Sequence, residues 1–260
     1  MKKKYLFFLL ALVIVVLLLI FFLFFFERKR TSDFKIVSEA EKVEEAKRYG
    51  DTVVGWLRVE GTNIDLPLIE NLEGTNILRD DYDFAWTNSF PDSKSNRPAF
   101  ISHNIRNVSK NPVVGDDTMF RFEQLMSFIY PDFIKDNQFI EYTNQDGETA
   151  LYRIYAVSLL EDNQEASYSD TYTKKEQEEY IKKAKEESMY DMDVDVNSGD
   201  LLLTLFTCTR FYGFTNDYSF RVDARKLRKG ERTTLAEVKT NDNYKVIKDR
   251  MEEGEEDEPV

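Results

Sequence analysis

Apolar positions fall along this chain in three different rhythms. Tyr5 to Phe26 is a continuous apolar run of about 22 residues without a charge, a proline or a glycine. As a helix it would be about 33 Å long, enough to cross the hydrocarbon core of a bilayer. It ends in Phe24-Phe25-Phe26-Glu27-Arg28-Lys29-Arg30 rather than in small residues at an A-x-A-like site, so it reads as an uncleaved anchor and not as a signal peptide. A second rhythm follows, in which Ile36, Val37, Ala40, Val43 and Ala46 recur at helical spacing after the capping sequence Thr31-Ser32-Asp33. That spacing predicts a helix over Phe34 to Tyr49, stopped by Gly50.

From Val53 onward the pattern shortens to strand-like segments. These are Val53 to Val59, Ile64 to Ile69, Arg97 to His103, Gln138 to Thr143, Thr149 to Leu160, Asp200 to Cys208 and Tyr218 to Leu227. Gly61-Thr62-Asn63 and Asn144-Gln145-Asp146-Gly147 read as turns between neighbouring strands. Two further helices are expected, Asp117 to Phe128 with Met119, Phe120, Phe122, Leu125 and Met126 near one face, and Lys174 to Met189 with Lys and Glu at i,i+4 spacing. Many short strands with few helices predict a mainly β domain of the α+β class, most simply a closed barrel with appended helices. The expected organisation is a cytoplasmic N-terminus at 1–4, a transmembrane anchor at 5–26, and a juxtamembrane segment and helix at 27–50. A single domain at 51–230 and a polar acidic tail at 231–260, expected to be disordered, complete it.

Charge narrows the function. The formal net charge of −13 argues against a nucleic-acid partner, which calls for a basic face. The basic residues flanking the anchor, Lys2 to Lys4 and Arg28 to Arg30, are nearly balanced, so they do not orient it. The long remainder can be translocated regardless, which predicts the N-terminus inside and the domain outside. No cluster of residues with metal-ligand spacing is present, and neither a metal nor an organic cofactor is expected.

The chain has one cysteine and one histidine. Cys208 closes the run Leu201-Leu202-Leu203-Thr204-Leu205-Phe206-Thr207, where both alternating faces are apolar except at the threonines. Such a strand is buried on both sides and ends at the thiol. A lone cysteine is also compatible with a small core hydrophobe, and a lone histidine with a solvated surface group. If thiol chemistry occurs, however, Cys208 and His103 are the only thiol and imidazole available, both at strand-to-loop edges. An arginine could supply oxyanion stabilisation: Arg221 lies 13 positions after Cys208 (221 − 208), on the next strand of a hairpin, with Arg210 and Arg225 nearby.

At these residues the chain resembles the sortases, membrane-anchored cysteine transpeptidases of Gram-positive bacteria. The family pattern T-L-x-T-C is matched by Thr204-Leu205-Phe206-Thr207-Cys208. The histidine motif is matched by Ser102-His103-Asn104, with Ser where the family has Gly. Val54-Gly55-Trp56-Leu57, Gly61-Thr62-Asn63-Ile64-Asp65-Leu66-Pro67 and Thr118-Met119-Phe120 resemble segments of class B, as do the helices before Gly50 and before the cysteine strand. The resemblance spans about residues 34 to 228.

It implies a closed sortase-type β-barrel with an N-terminal helix and peripheral helices. His103, Cys208 and Arg221 would be the catalytic residues, and Asn104, Thr207 and Arg210 would contact substrate. The implied reaction cleaves an N-P-x-T-like C-terminal sorting signal after Thr. The secreted protein is then joined to an amine of a peptidoglycan precursor or a pilin lysine, outside a membrane the enzyme crosses once. One departure stands out. The class B arginine usually follows the cysteine by about ten residues, and alignment of the strand's ending puts Ser219 there, with Arg221 two residues on along the same face. An L,D-transpeptidase would carry its histidine close to the cysteine, and a papain-like protease would set the cysteine on a helix, so both fit poorly. A non-enzymatic tethered binding or adhesion module with a core cysteine is the remaining alternative.

Overall fold

A computed structural model describes residues 5, 12–16, 30–47, 53–70, 85–87, 95–102, 104, 121–161, 170–209 and 218–253. The chain divides into two units, Met1–Thr31 and Ser32–Val260. Most of the expected anchor lies outside the described residues, among which no helix is long and apolar enough to cross a membrane.

Eight strands of the second unit close into a barrel. They are β1 (Val53–Val59), β2 (Asp65–Glu70), β3 (Ala85–Thr87), β4 (Ala99–Ser102), β5 (Phe139–Asn144), β6 (Thr149–Leu160), β8 (Leu202–Cys208) and β9 (Ser219–Lys226), in the spatial order β1-β2-β3-β4-β8-β9-β6-β5. Alternation sorts their side chains. Leu57, Val59, Leu66, Leu68, Phe100, Ile140, Ile154, Leu203, Leu205, Val222 and Ala224 belong to one core cluster, which also takes in Phe122, Leu125, Met126, Phe128 and Ile129 of a 3-10 helix, Arg121–Ile129. The helix expected over Asp117 to Phe128 thus exists in the tighter form, and its residues before 121 lie outside the described set. A short helix α2 (Pro131–Asp136), begun by a proline whose missing N–H costs nothing in the first turn, leads into β5.

The β5–β6 turn matches its sequence signature. Gly147 adopts φ +81°, and the Asn144 Oδ1 accepts from the backbone N–H of Asp146 and Glu148 at 3.0 and 2.9 Å. In β1 a register shift between Val53 and Gly55 turns Val53 to the same outer side as Trp56. There both residues pack with Ile69 against Val43 and Ala46 of helix α1 (Ala40–Lys47).

Two expectations are corrected. The first helix starts at Ala40, not Phe34. Residues before it are held by barrel groups instead: the Val37 N–H donates to Glu141 Oε2 at 2.9 Å, and the Arg58 guanidinium lies 5.0 Å from the Phe34 ring centroid. Specific polar contacts to another element override helical spacing here. The tail after 231 is ordered through Glu253, carrying β10 (Val238–Thr240), paired with β7 (Tyr190–Met192), and helix α4 (Asp242–Glu253). Ile247 is buried in the barrel core cluster, Tyr244 stacks on Tyr190 at 5.7 Å, and the Gln138 side chain exchanges two hydrogen bonds with the Ala236 backbone. At the tail's start, Glu231 accepts two bonds from Arg225, which hold its carboxyl down at about 2. A few apolar anchors in polar sequence suffice to dock it. Residues 254–260 lie outside the described set.

The long helix α3 (Lys174–Glu187) opens with a reciprocal capping box between Thr173 and Glu176 and ends two residues before the expected Met189. Its Ile181 and Ala184 pack on Tyr155, Ala156, Val194 and Leu202, roofing the outer face of the barrel beside β8. Ile247→Ala should lower unfolding stability by about 2 to 3 kcal/mol through loss of buried volume. Urea denaturation of the purified protein reads this, whereas a disordered tail would give no change.

Candidate active site

Strand β8 lies between β4, parallel to it, and β9, antiparallel to it. Both of its faces are covered, the inner one by the barrel core and the outer one, at Leu202, by the cluster under α3. The motif threonines act as ties. The Thr204 hydroxyl donates to Asp223 Oδ1 of β9 at 2.8 Å and accepts from the Arg97 Nη1 at 3.1 Å. The Thr207 hydroxyl donates to the Ser102 carbonyl of β4 at 2.8 Å. Between them they fix β8 to both neighbours just before Cys208, and the Thr209 N–H bonded to the Tyr218 carbonyl at 3.0 Å extends the β8–β9 ladder one step past it.

Cys208 is partly exposed at the strand's end. Its Cα partner on β9 is Ser219, and the next outward pair is Phe206 with Arg221. Arg221 therefore shares the face of Cys208, two residues or about 7 Å along the strand from the position directly opposite it. The side chain is only 4% exposed and is doubly bonded to carboxylates, its Nε donating to Asp223 Oδ2 at 2.7 Å and its Nη2 to Glu187 Oε2 at 2.8 Å. Beneath α3 the network continues. Tyr180 donates to Asp223, and Arg97, fully buried, lies 4.7 and 4.5 Å from the ring centroids of Tyr172 and Tyr180. Burial, and then the negative charge of Asp223, raise the Tyr180 phenol well above its ordinary value, so it remains a donor.

Asn104 follows the end of β4 and is buried, and Thr207 is fully buried with its hydroxyl turned to Ser102. His103 and Arg210 lie outside the described residues. The structure thus brings Cys208, Thr207 and Arg221 to neighbouring positions of the strand pair β8 and β9. Asp223, Glu187 and Tyr180 were not anticipated. The signal for Asp223 was present in Ser219-Phe220-Arg221-Val222-Asp223-Ala224-Arg225, a strict alternation whose polar face must be paired if helix α3 covers it. Among the described residues no group of three or more His, Cys, Asp or Glu is placed to hold a metal.

No protein-family model matches the chain. It is 23% identical over 181 residues to sortase B of Staphylococcus aureus, covering 66% of this chain and 69% of the relative, and 23% identical over 182 residues to sortase B of Listeria monocytogenes, covering 65% and 67%. Among solved structures, a cysteine-to-serine mutant of Clostridium perfringens sortase B superposes with TM-score 0.60 at 24% identity, over 73% of this chain and 88% of that one. A Staphylococcus aureus sortase B–substrate complex gives 0.56 at 15% identity, over 73% and 86%. The barrel with a cysteine closing its central strand is thus the sortase fold. Both curated relatives and the solved structures that share this fold are class B sortases.

Thr204→Val should cost about 2 kcal/mol, because Asp223 and Arg97 each lose a partner in a buried site. Chemical denaturation checks it, and a stability equal to wild type would show that the hydroxyl bridge is unimportant.

Proposed function

We propose that the protein cleaves a C-terminal sorting signal of a secreted protein after Thr and transfers the new end to an amine. Cys208 is the nucleophile, His103 the general acid and base, and Arg221 the oxyanion donor. The observation that carries this reading is the setting of Cys208: a partly exposed thiol closing a fully tied central strand, with Arg221 on its own face. Chain connectivity supports His103. Ser102 is the Cα partner of Thr207, and in the sequence His103 follows the one and Cys208 the other.

The Cys208 thiol gives its proton to His103 as its sulfur attacks the threonine carbonyl carbon, and the tetrahedral oxyanion is met by Arg221. Collapse breaks the C–N bond, His103 protonates the departing amine, and a thioester to Cys208 remains. An acceptor amine then attacks the thioester, His103 takes its proton and passes it to the departing sulfur, and the thiol is regenerated as the new amide forms. No electron acceptor or metal is needed for this balance. Asn104 and Arg210 are assigned to the substrate groove, and Thr207 acts through the strand it ties.

An N-P-x-T-type signal fits the class, with a peptidoglycan-precursor amine or a pilin lysine as acceptor. The apolar run from Tyr5 to Phe26 is assigned as a single-pass anchor that leaves the domain outside the cell. Anchoring enzyme and substrate to one membrane face raises their effective concentration.

Full-length protein in detergent micelles, given fluorogenic N-P-x-T-type peptides and a panel of amines, tests the reading. Cys208→Ala and His103→Ala should abolish transfer, and Arg221→Ala should lower kcat about 100-fold. Activity that survives Arg221→Ala but is lost in Arg210→Ala would move the oxyanion role to Arg210. Survival of transfer in Cys208→Ala would end the proposal.

A further inference from the structure

The guanidinium of Arg221 is clamped along one edge by carboxylates from two separate elements. Asp223 comes from the same strand and is itself fixed by the Thr204 and Tyr180 hydroxyls. Glu187 is the last residue of α3 and reaches Arg221 from above the sheet. The Tyr180 ring closes the third side, with its centroid 5.6 Å from the guanidinium carbon. A single carboxylate would neutralise a buried guanidinium. Two carboxylates and a ring face also set its plane, which matters because an arginine side chain is otherwise long and flexible.

The location of Glu187 supports a purpose beyond packing. A carboxylate at the C-terminal end of a helix faces the negative pole of the helix dipole. It is retained there beside Arg221 at 2.8 Å and Lys183 at 3.6 Å. The side chain is 28% exposed, so Glu187 is not needed to fill the core.

We infer that Glu187 and Asp223 are positioning residues for the transfer reaction, fixing the plane and direction of the Arg221 guanidinium on the Cys208 face of the strand pair. This rests on the transpeptidase reading and on the role given there to Arg221. It also accounts for an arginine two residues beyond the position opposite the thiol. A guanidinium displaced along the strand is useful only when its direction is fixed, because small errors in orientation are costly to catalysis.

Glu187 is the residue to vary, since Asp223 is fully buried with three partners and its loss could unfold the protein. In detergent-solubilised full-length protein with a fluorogenic N-P-x-T-type peptide and hydroxylamine as acceptor, Glu187→Gln should lower kcat about five- to twentyfold with KM little changed. Glu187→Asp should recover part of the loss. Glu186→Gln, which removes the neighbouring exposed pair with Lys182, serves as the control expected to match wild type. In an Arg221→Ala background, Glu187→Gln should have no further effect on rate.

A substrate-free arm reads the same clamp through iodoacetamide alkylation of Cys208 as a function of pH. With the Glu187 charge removed, Arg221 is less neutralised and favours the thiolate, so the midpoint should move to lower pH, and only while Arg221 is present. An unchanged or increased kcat, an effect that persists without Arg221, or an unmoved alkylation midpoint overturns the inference. If wild type turns over no peptide, the transpeptidase reading fails, and the alkylation arm still decides the clamp.

Discussion

The position of the thiol depends on the register of β8 between two unlike neighbours. A slip of one residue against either β4 or β9 would send Cys208 into the barrel and Thr207 outward. Several interactions oppose that slip together. Leu203 and Leu205 are committed to the inner core and Leu202 to the outer cluster. Thr204 is bonded across to Asp223, and Thr207 to the Ser102 carbonyl. The apolar alternation supplies most of the energy, while the hydroxyl ties are directional and select one register among those the apolar pattern would tolerate. A side chain at the end of such a strand inherits its location from the sheet.

The polar layer between the barrel and α3 is the complementary feature. Arg97, Thr204, Tyr180, Asp223 and Arg221 are largely shielded from water yet joined by hydrogen bonds, ion pairs and ring contacts. Partnered groups of this kind contribute modestly to net stability but are costly to break singly, because the survivor is left buried and unsatisfied. The layer therefore gives direction more than strength. It couples α3, a surface helix by composition, to the strand pair that presents Cys208.

Most of this arrangement was legible in the sequence where local pattern and tertiary role agree. The leucine strand, the Asn144 to Gly147 turn and the helix at Lys174, with its Lys and Glu at i,i+4 spacing, announce themselves because each needs those residue types wherever it occurs. Misreadings came where a distant partner decided. Residues before Ala40 had helical spacing but are drawn out by Glu141 and Arg58, more than a hundred and about twenty positions away. The tail after Glu231 looked too polar to fold, yet Ile247 and Tyr244 find apolar partners on elements that local composition cannot reveal. At the site, Cys208 and the face of Arg221 could be read from strand periodicity. Glu187 could not, because nothing in a helix sequence states which of its carboxylates will overhang a strand 34 positions later.

Parallel pairing of β4 with β8 has a consequence for the chemistry as well. Antiparallel neighbours can be joined by a tight turn, but parallel ones require a long crossover, so residues meeting at their shared end must be distant in sequence. Ser102 and Thr207 are paired although 105 positions apart (207 − 102). Any acid–base partner just past β4 in the sequence is therefore distant along the chain from the thiol. Cys208 is held by its pairing with β9, and the bond from Thr207 to the Ser102 carbonyl ties the same strand to β4.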